Sequence, residues 1–356
     1  HYGQCYVVVH VDSGAQAMGL TRRGKLLLSL TAVLALLSVV GFMTLNVHSD
    51  WGFIVQHRGS RLLGMLLVAV TMGLATVVFQ TITHNRILTP SLMGFDVLYV
   101  LVHSLALLLW GTEFGSHWSL EWRFMFEMAV MVAMALLLFR LLFTGAVGGL
   151  HLLILFGMVG GLLFRELADV ALRVVDPSEF SIQQGSGIAN FNRINLSLLW
   201  VGIIGVALCS GLLFQLRRQL DVLSLGREVA INLGIAYNKT VTLLMLAICI
   251  LVSISTALVG PMLFYGLLVA NLAYWITGSH QHRWTLPASV LAGIVCLVGG
   301  QVLLEHLLDS RLPLAMVIEL CGGVLFIVLL LKGIKLNGVK LKGITLKGIK
   351  LGGVRS

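Results

Sequence analysis

Apolar runs of about twenty residues recur along this chain, each closed by a short polar or charged stretch. They predict helices over 26–46, 62–83, 92–111, 124–143, 150–170, 195–216, 240–259, 262–277, 287–307 and 314–331. Helices of this length rise ~1.5 Å per residue and match a hydrocarbon core ~30 Å thick. Lipid leaves backbone polar groups no partner outside a helix or a closed barrel. The runs lack the alternation a barrel needs, so the fold expected is an all-α polytopic membrane protein with about ten transmembrane helices. Pro261, Pro287 and Pro313 stand at predicted helix starts, where a missing N–H costs little.

One interior polar stretch breaks the pattern, from Arg217 to Lys239. Ser224 is placed to N-cap a short helix there, and Gly234 to close it in the left-handed conformation. About nine helical residues reach only ~14 Å, too little to cross a bilayer. Such a helix between two spans reads either as a docking surface or as an ordinary loop helix.

Charge sets the orientation. Thr21-Arg22-Arg23-Gly24-Lys25 flanks the first run, and His84/Arg86, Arg140, the 217–239 stretch, His280/His282/Arg283 and Lys332 fall on the same side. Glu113, Glu121, Asp169, Asp176, Glu179, Glu305 and Asp309 fall on the other. The positive-inside rule then puts both termini in the cytoplasm. Residues 171–194 make the largest outer loop, with Pro177 and Gly185-Ser186-Gly187. Residues 1–17 are read as a non-native or upstream extension and 18–332 as the transmembrane domain. Beyond Lys332, glycine at five-residue spacing opposes helix, so 333–356 is expected to be a flexible basic tail, either attracted to anionic membrane lipid or without a role.

Composition agrees with the pattern: 58% of the 356 residues are hydrophobic and 11% charged, with a mean hydropathy of +0.97. The formal charge of +9 does not point to nucleic acid, because six of the cations lie in the tail and the rest flank spans. Cys209, Cys249, Cys296 and Cys321 sit singly in apolar runs, which predicts no disulfide or metal framework. Gly19 to Lys25 spells G-x-x-x-x-G-K, but Leu26 stands where a phosphate loop needs Ser or Thr.

The intramembrane ionisable residues are read as Asp96, His103, Glu127, His151 and Glu319, scattered in depth, a pattern that favours packing roles over a proton relay. His280-Gln281-His282-Arg283 and Glu305/His306/Asp309 are weak ligand sets, so no metal or cofactor is expected. No catalytic constellation argues for an enzyme. Gly157 and Gly161 form G-x-x-x-G with Gly160 beside them, and Gly145/Gly149 repeat the spacing; close helix packing and a path-lining surface both remain open.

Several stretches in order resemble the permease subunits of iron–siderophore ABC importers, the FecCD family, which also serves haem and cobalamin uptake. They are Arg58-Gly59-Ser60-Arg61-Leu62; Gln80 with Asn85-Arg86-Ile87-Leu88-Thr89-Pro90-Ser91-Leu92-Met93-Gly94; and Leu225-Gly226-Arg227-Glu228-Val229-Ala230-Ile231-Asn232-Leu233-Gly234. Val259-Gly260-Pro261 to Ala270, His282-Arg283 with Leu286-Pro287, and Leu312-Pro313 to Lys332 with Gly322-Gly323 and Phe326 continue it. The family's proline between the two outer arginines is absent here, and Arg311 is only a nearby substitute for a third outer arginine.

The resemblance implies a type II importer permease in the bacterial inner membrane, dimeric with a homologous permease or with itself. It implies that Arg58, Arg61 and Arg311 dock a periplasmic substrate-binding protein. Leu225, Gly226, Glu228, Ala230, Leu233 and Gly234 would sit in a cleft of a separate ATP-hydrolysing subunit. Thr144, Gly145 and Gly149 with Gly157, Gly160 and Gly161 would line the path or its inner gate. An ion-coupled secondary transporter, sensitive to His103 or Glu319, and a passive scaffold are the competing readings.

Overall fold

The computed structural model describes residues 20–45, 51–110, 119–144, 150–175, 191, 196–307 and 313–345. The described residues hold helices and turns and no strand. The helices are α1 (Arg22–Thr44), α2 (Trp51–Thr83), α3 (Phe95–Trp110), α4 (Leu120–Thr144), α5 (Leu150–Val175) and α6 (Leu196–Gln215). Two short ones follow, α7 (Arg217–Leu223) and α8 (Arg227–Asn232), then α9 (Tyr237–Val259) and α10 (Tyr265–Thr277). α11 (His282–Ile294) passes through a π-turn at Val295–Gly299 into α12 (Gly300–Leu307), and α13 covers Leu314–Thr345. A helix lies on each of the ten stretches expected to span.

α2 and α9 form the centre of the bundle, packed on each other and ringed by α3, α4, α6, α10 and α11. Met65, Val68, Met72, Leu74 and Phe79 of α2 and Leu244, Met245, Ile248 and Leu251 of α9 are at most 1% exposed. Small residues let neighbouring helices approach this centre closely. Gly266 supplies one such crossing against Thr76, and Gly293 another against Ala69 and Tyr265. By contrast α1 and α6 turn Leu26, Leu36, Leu37, Trp200, Ile204 and Leu208 outward, the apolar exposure a lipid-facing helix requires.

α3 and α10 are short. At ~1.5 Å per residue they extend about 24 and 20 Å, less than the ~30 Å of hydrocarbon. Each is entered through non-helical chain, 84–94 and 260–264, whose backbone needs partners within the protein. In the first segment Gln80 Nε2 donates to the Arg86 carbonyl at 2.7 Å, Asn85 Oδ1 accepts from the Ile87 N–H at 2.9 Å, and Thr89 Oγ1 accepts from Leu92 at 3.1 Å. In the second, the Met262 N–H donates to Asp96 Oδ2 of α3 at 3.3 Å.

Three expectations are corrected. Pro287 is not at a helix start: α11 begins five residues earlier at His282, because a carboxylate from elsewhere takes up its first N–H (below). Pro261 lies in the non-helical entry to α10, and only Pro313 directly precedes its helix. α13 does not stop at Lys332 but continues to Thr345 through the first glycine repeats. Helix propagation from a formed end costs less than nucleation, which offsets the glycine penalty of ~1 kcal/mol per residue. Residues 1–19 and 346–356, and most of the 171–194 loop apart from the end of α5 and a buried Phe191, lie outside the described residues.

Candidate functional site

The polar island at 217–239 holds two short helices, α7 and α8, joined through Ser224–Gly226, not one of nine residues. Ser224 does not N-cap. It ends α7, and its hydroxyl donates to the Asp221 carbonyl at 2.6 Å. Gly226, at φ +111, starts α8 instead, a conformation only glycine adopts freely. Gly234 closes α8 as expected, at φ +84. Its N–H donates to the Ile231 carbonyl and that of Ile235 to the Ala230 carbonyl, the paired bonds of a Schellman motif.

The coupling candidates divide by role. Leu225 and Leu233 are each 61% exposed, and Val229, Ile231 and Glu228 are also exposed. Ala230 is fully buried beneath them, and Leu220 and Leu223 anchor α7 to the bundle. An apolar patch flanked by charge at the end of the bundle, rather than on its lipid-facing flanks, has the form of a surface awaiting a protein partner.

Side chains from three elements fasten the island. Asp221 Oδ1 accepts from both the backbone N–H and the ring Nδ1 of His282, each at 2.7 Å. The other ring nitrogen of His282 lies 2.7 Å from Thr81 Oγ1 near the end of α2. His84, the first residue past α2, places its Nε2 2.9 Å from the Leu223 carbonyl. Partial burial would raise the Asp221 carboxyl, yet the two His282 bonds and the neighbouring His282 and Arg217 charges hold it below the usual carboxylate range. His280 is pushed the other way, below its ordinary value, by burial and then by the Arg86 guanidinium and His282. Arg86 donates to its Nδ1 at 2.9 Å.

Arg58 and Arg61 lie toward the other end of α2, about 38 and 33 Å from Thr83 by helix rise. Both are engaged within the chain. Arg58 Nη1 donates to the Phe42 carbonyl at 3.0 Å and the Leu45 carbonyl at 2.6 Å, closing the C-terminus of α1. Arg61 faces Glu305 of α12 at 3.6 Å, and both guanidinium groups lie about 6 Å over the Phe42 ring. The two arginines are thus half-buried and held, and sequence spacing alone gave no sign of these partners. Arg311 lies outside the described residues.

The glycines of α5 separate in the same way. Gly157 and Gly161 receive the Met93–Gly94 turn that leads into α3. A Cβ on Gly157 would overlap the Met93 thioether, and one on Gly161 would stand 3.2 Å from the Gly94 Cα. Packing accounts for these two. Gly160 faces open space, with nothing within 4 Å of a Cβ built there. Thr144 ends α4, while Gly145 and Gly149 lie outside the described residues.

The expected scatter of intramembrane charge is also corrected. His103 and Glu127 meet: Glu127 accepts from His103 Nδ1 at 2.8 Å, Tyr99 Oη at 3.0 Å and Arg123 Nε at 3.4 Å, joining α3 to α4. Asp96 and Glu319 converge on the entry to α10, where the Leu263 N–H lies 3.5 Å from Glu319 Oε1. Helical spacing could have flagged Tyr99 with His103 and Arg123 with Glu127, each four residues apart, but not that the two pairs face each other. Arg165 and Glu166, inside the expected fifth span, are exposed on α5 and were missed as intramembrane charges. Among the described residues no three His, Cys, Asp or Glu side chains are grouped to hold a metal ion.

Comparison with known proteins places this arrangement. A family model described as the FecCD transport family matches residues 24–332. The petrobactin import system permease protein YclO of Bacillus subtilis (strain 168) is 36% identical over 310 residues, 87% of this chain and 98% of that protein. The petrobactin import system permease protein FatC of Bacillus anthracis is 32% identical over 317 residues, 87% of this chain and 89% of that protein. Among solved structures, an inward-facing conformation of a metal-chelate type ABC transporter aligns with TM-score 0.71 at 24% identity, covering 87% of this chain and 99% of that one.

Proposed function

This chain belongs to the FecCD transport family, and we propose that it is the permease subunit of a binding-protein-dependent ABC importer that moves a ferric siderophore across the bacterial inner membrane. In this reading residues 18–332 form the permease domain, with ten crossings and both termini in the cytoplasm. The island of α7 and α8 seats in a cleft of a separate ATP-hydrolysing subunit. A homologous permease, or a second copy, completes the path along α5, whose Gly160, Thr144, Gly145 and Gly149 line it or its inner gate. The held arginines Arg58 and Arg61, with Arg311, orient a periplasmic binding protein by charge rather than supplying much affinity.

The observation that carries the reading is the exposure of Leu225 and Leu233 on a short helix pair whose base is buried in the bundle. A loop helix with no partner has no physical reason to hold an apolar patch outward on so rigid a base. That two relatives are named for petrobactin import supports the siderophore class. Substitution of Leu225 by Glu, or of Gly234 by Pro, which cannot adopt φ +84, is expected to abolish ATP-dependent uptake and co-purification of the ATPase at normal membrane levels. Full uptake by either variant would refute the docking role.

A further inference from the structure

Docking alone does not move a transmembrane path; the displaced surface must be fixed to the helices that have to move. From the bonds at Asp221, His282 and Thr81 we infer that these three side chains form a clamp that transmits displacement of α7–α8 to α11 and α2. This inference rests on the proposed docking of the island and adds the positioning residues behind it.

The chemistry of each link fits transmission. Asp221 approaches the start of α11 and accepts the N–H of His282, the first residue of that helix. The local cap position, Gln281, makes no side-chain bond there, so an orphan helix donor is satisfied from a different element. An anion at a helix N-terminus is also favoured by the helix dipole. The same Oδ1 holds the His282 ring, which is 2% exposed and cannot swing into water. The ring's far nitrogen then reaches Thr81, itself buried, whose hydroxyl also lies 2.8 Å from the Val77 carbonyl one turn back on α2.

The clamp therefore runs from α7 through the head of α11 into the body of α2, the central helix of the bundle. Leu220 and Leu223 pack α7 against the same region, and His84 bonds the Leu223 carbonyl, so α7 resists sliding past α2. Of the charged groups around it, His84 faces the Leu223 carbonyl and Arg86 the His280 ring, while the Arg217 charge favours the Asp221 carboxylate. Apolar packing alone lets two surfaces shear. Directional bonds at both ends of one buried ring do not.

The test uses the whole importer, permease with its ATPase, second permease and binding protein, in proteoliposomes, with ATP hydrolysis and uptake measured on the same sample. Asp221→Ala and Thr81→Val are each expected to lower substrate moved per ATP by about 3- to 30-fold, with the ATPase still co-purifying. Thr81→Ser, which keeps the hydroxyl, restores the ratio. Because the links act in series through His282, the double variant is expected to be no worse than the worse single one. His282→Asn, which keeps a donor toward Asp221 but cannot reach Thr81, is expected to match Thr81→Val.

An unchanged ratio of uptake to hydrolysis in Asp221→Ala and Thr81→Val overturns the clamp, whether both rates stay at the parent level or fall together as for a purely structural role. Additive losses in the double variant overturn it too. If Leu225→Glu leaves uptake intact, the docking reading itself fails. If Leu225→Glu uncouples while the clamp variants do not, only the clamp fails.

Discussion

The turn that enters α3 lies on the α5 glycines closely enough for a methyl group to decide stability. Gly94 has φ +80, and a Cβ there would stand 2.6 Å from the Gly161 Cα. Gly94→Ala thus combines left-handed strain of roughly 1–2 kcal/mol with a backbone overlap that can relax only by separating α3 from α5, roughly 1–3 kcal/mol more. The sum, about 2–5 kcal/mol, is a large fraction of the stability of an ordinary domain. Gly157→Ala meets the Met93 thioether, a flexible side chain that can move, and the Met93 Cα at 3.2 Å, so its cost is smaller than that of Gly94→Ala. Gly161→Ala needs the Gly94 backbone to give by a few tenths of an ångström and likewise costs less than Gly94→Ala. Gly160→Ala meets nothing. Thermal unfolding of the four purified variants in one detergent should rank Gly94→Ala lowest, then Gly161→Ala and Gly157→Ala together, with Gly160→Ala at the parent value. Equal stability of Gly94→Ala and Gly160→Ala would refute the packing argument for this face of α5.

Two further outcomes are expected. Glu127→Ala leaves Tyr99, His103 and Arg123 without their shared acceptor, so it should destabilise by about 3–5 kcal/mol, with Glu127→Gln intermediate; unfolding of both variants at the parent temperature would show that the cluster does not hold α3 to α4. The depressed Asp221 carboxyl contributes stability that is full above the unfolded value of about 3.9 and is lost as pH falls through the lower folded value. Hydrogen exchange in α7 should therefore rise in the parent relative to Asp221→Asn only below about pH 4; a difference opening between pH 7 and 5 would contradict this assignment.

The apolar pattern was enough to locate the helices, because lipid permits little else and the runs are long. It misplaced what depends on contacts distant in sequence. The start of α11 was set at Pro287 because nothing near His282 reveals that Asp221, sixty-one residues earlier, takes up its first N–H. Ser224 looked like an N-cap because its local sequence fits one, but the chain turns at Gly226 instead. The glycine spacing of α5 was visible, yet which glycines pack depends on where the Met93–Gly94 turn lies. The charges at 103 and 127 appeared unrelated because they lie on two different helices, twenty-four residues apart, and only packing brings them together. For the candidate site, the exposed leucines of the island were identified from the sequence; the bonds that make the island rigid were not.

The shortness of α10 bears on how the protein is made. A 13-residue helix entered through an irregular turn is a poor candidate for independent release into lipid during synthesis, since bare amides there cost several kcal/mol each. The Met262 amide needs Asp96, which emerges early, but the neighbouring Leu263 and Phe264 lie against Glu319, Gly322 and Phe326 of the final helix. The entry to α10 therefore stays unfinished until α13 has left the ribosome. A nascent chain arrested before α13 would leave the Leu263 amide and the Phe264 ring without these partners.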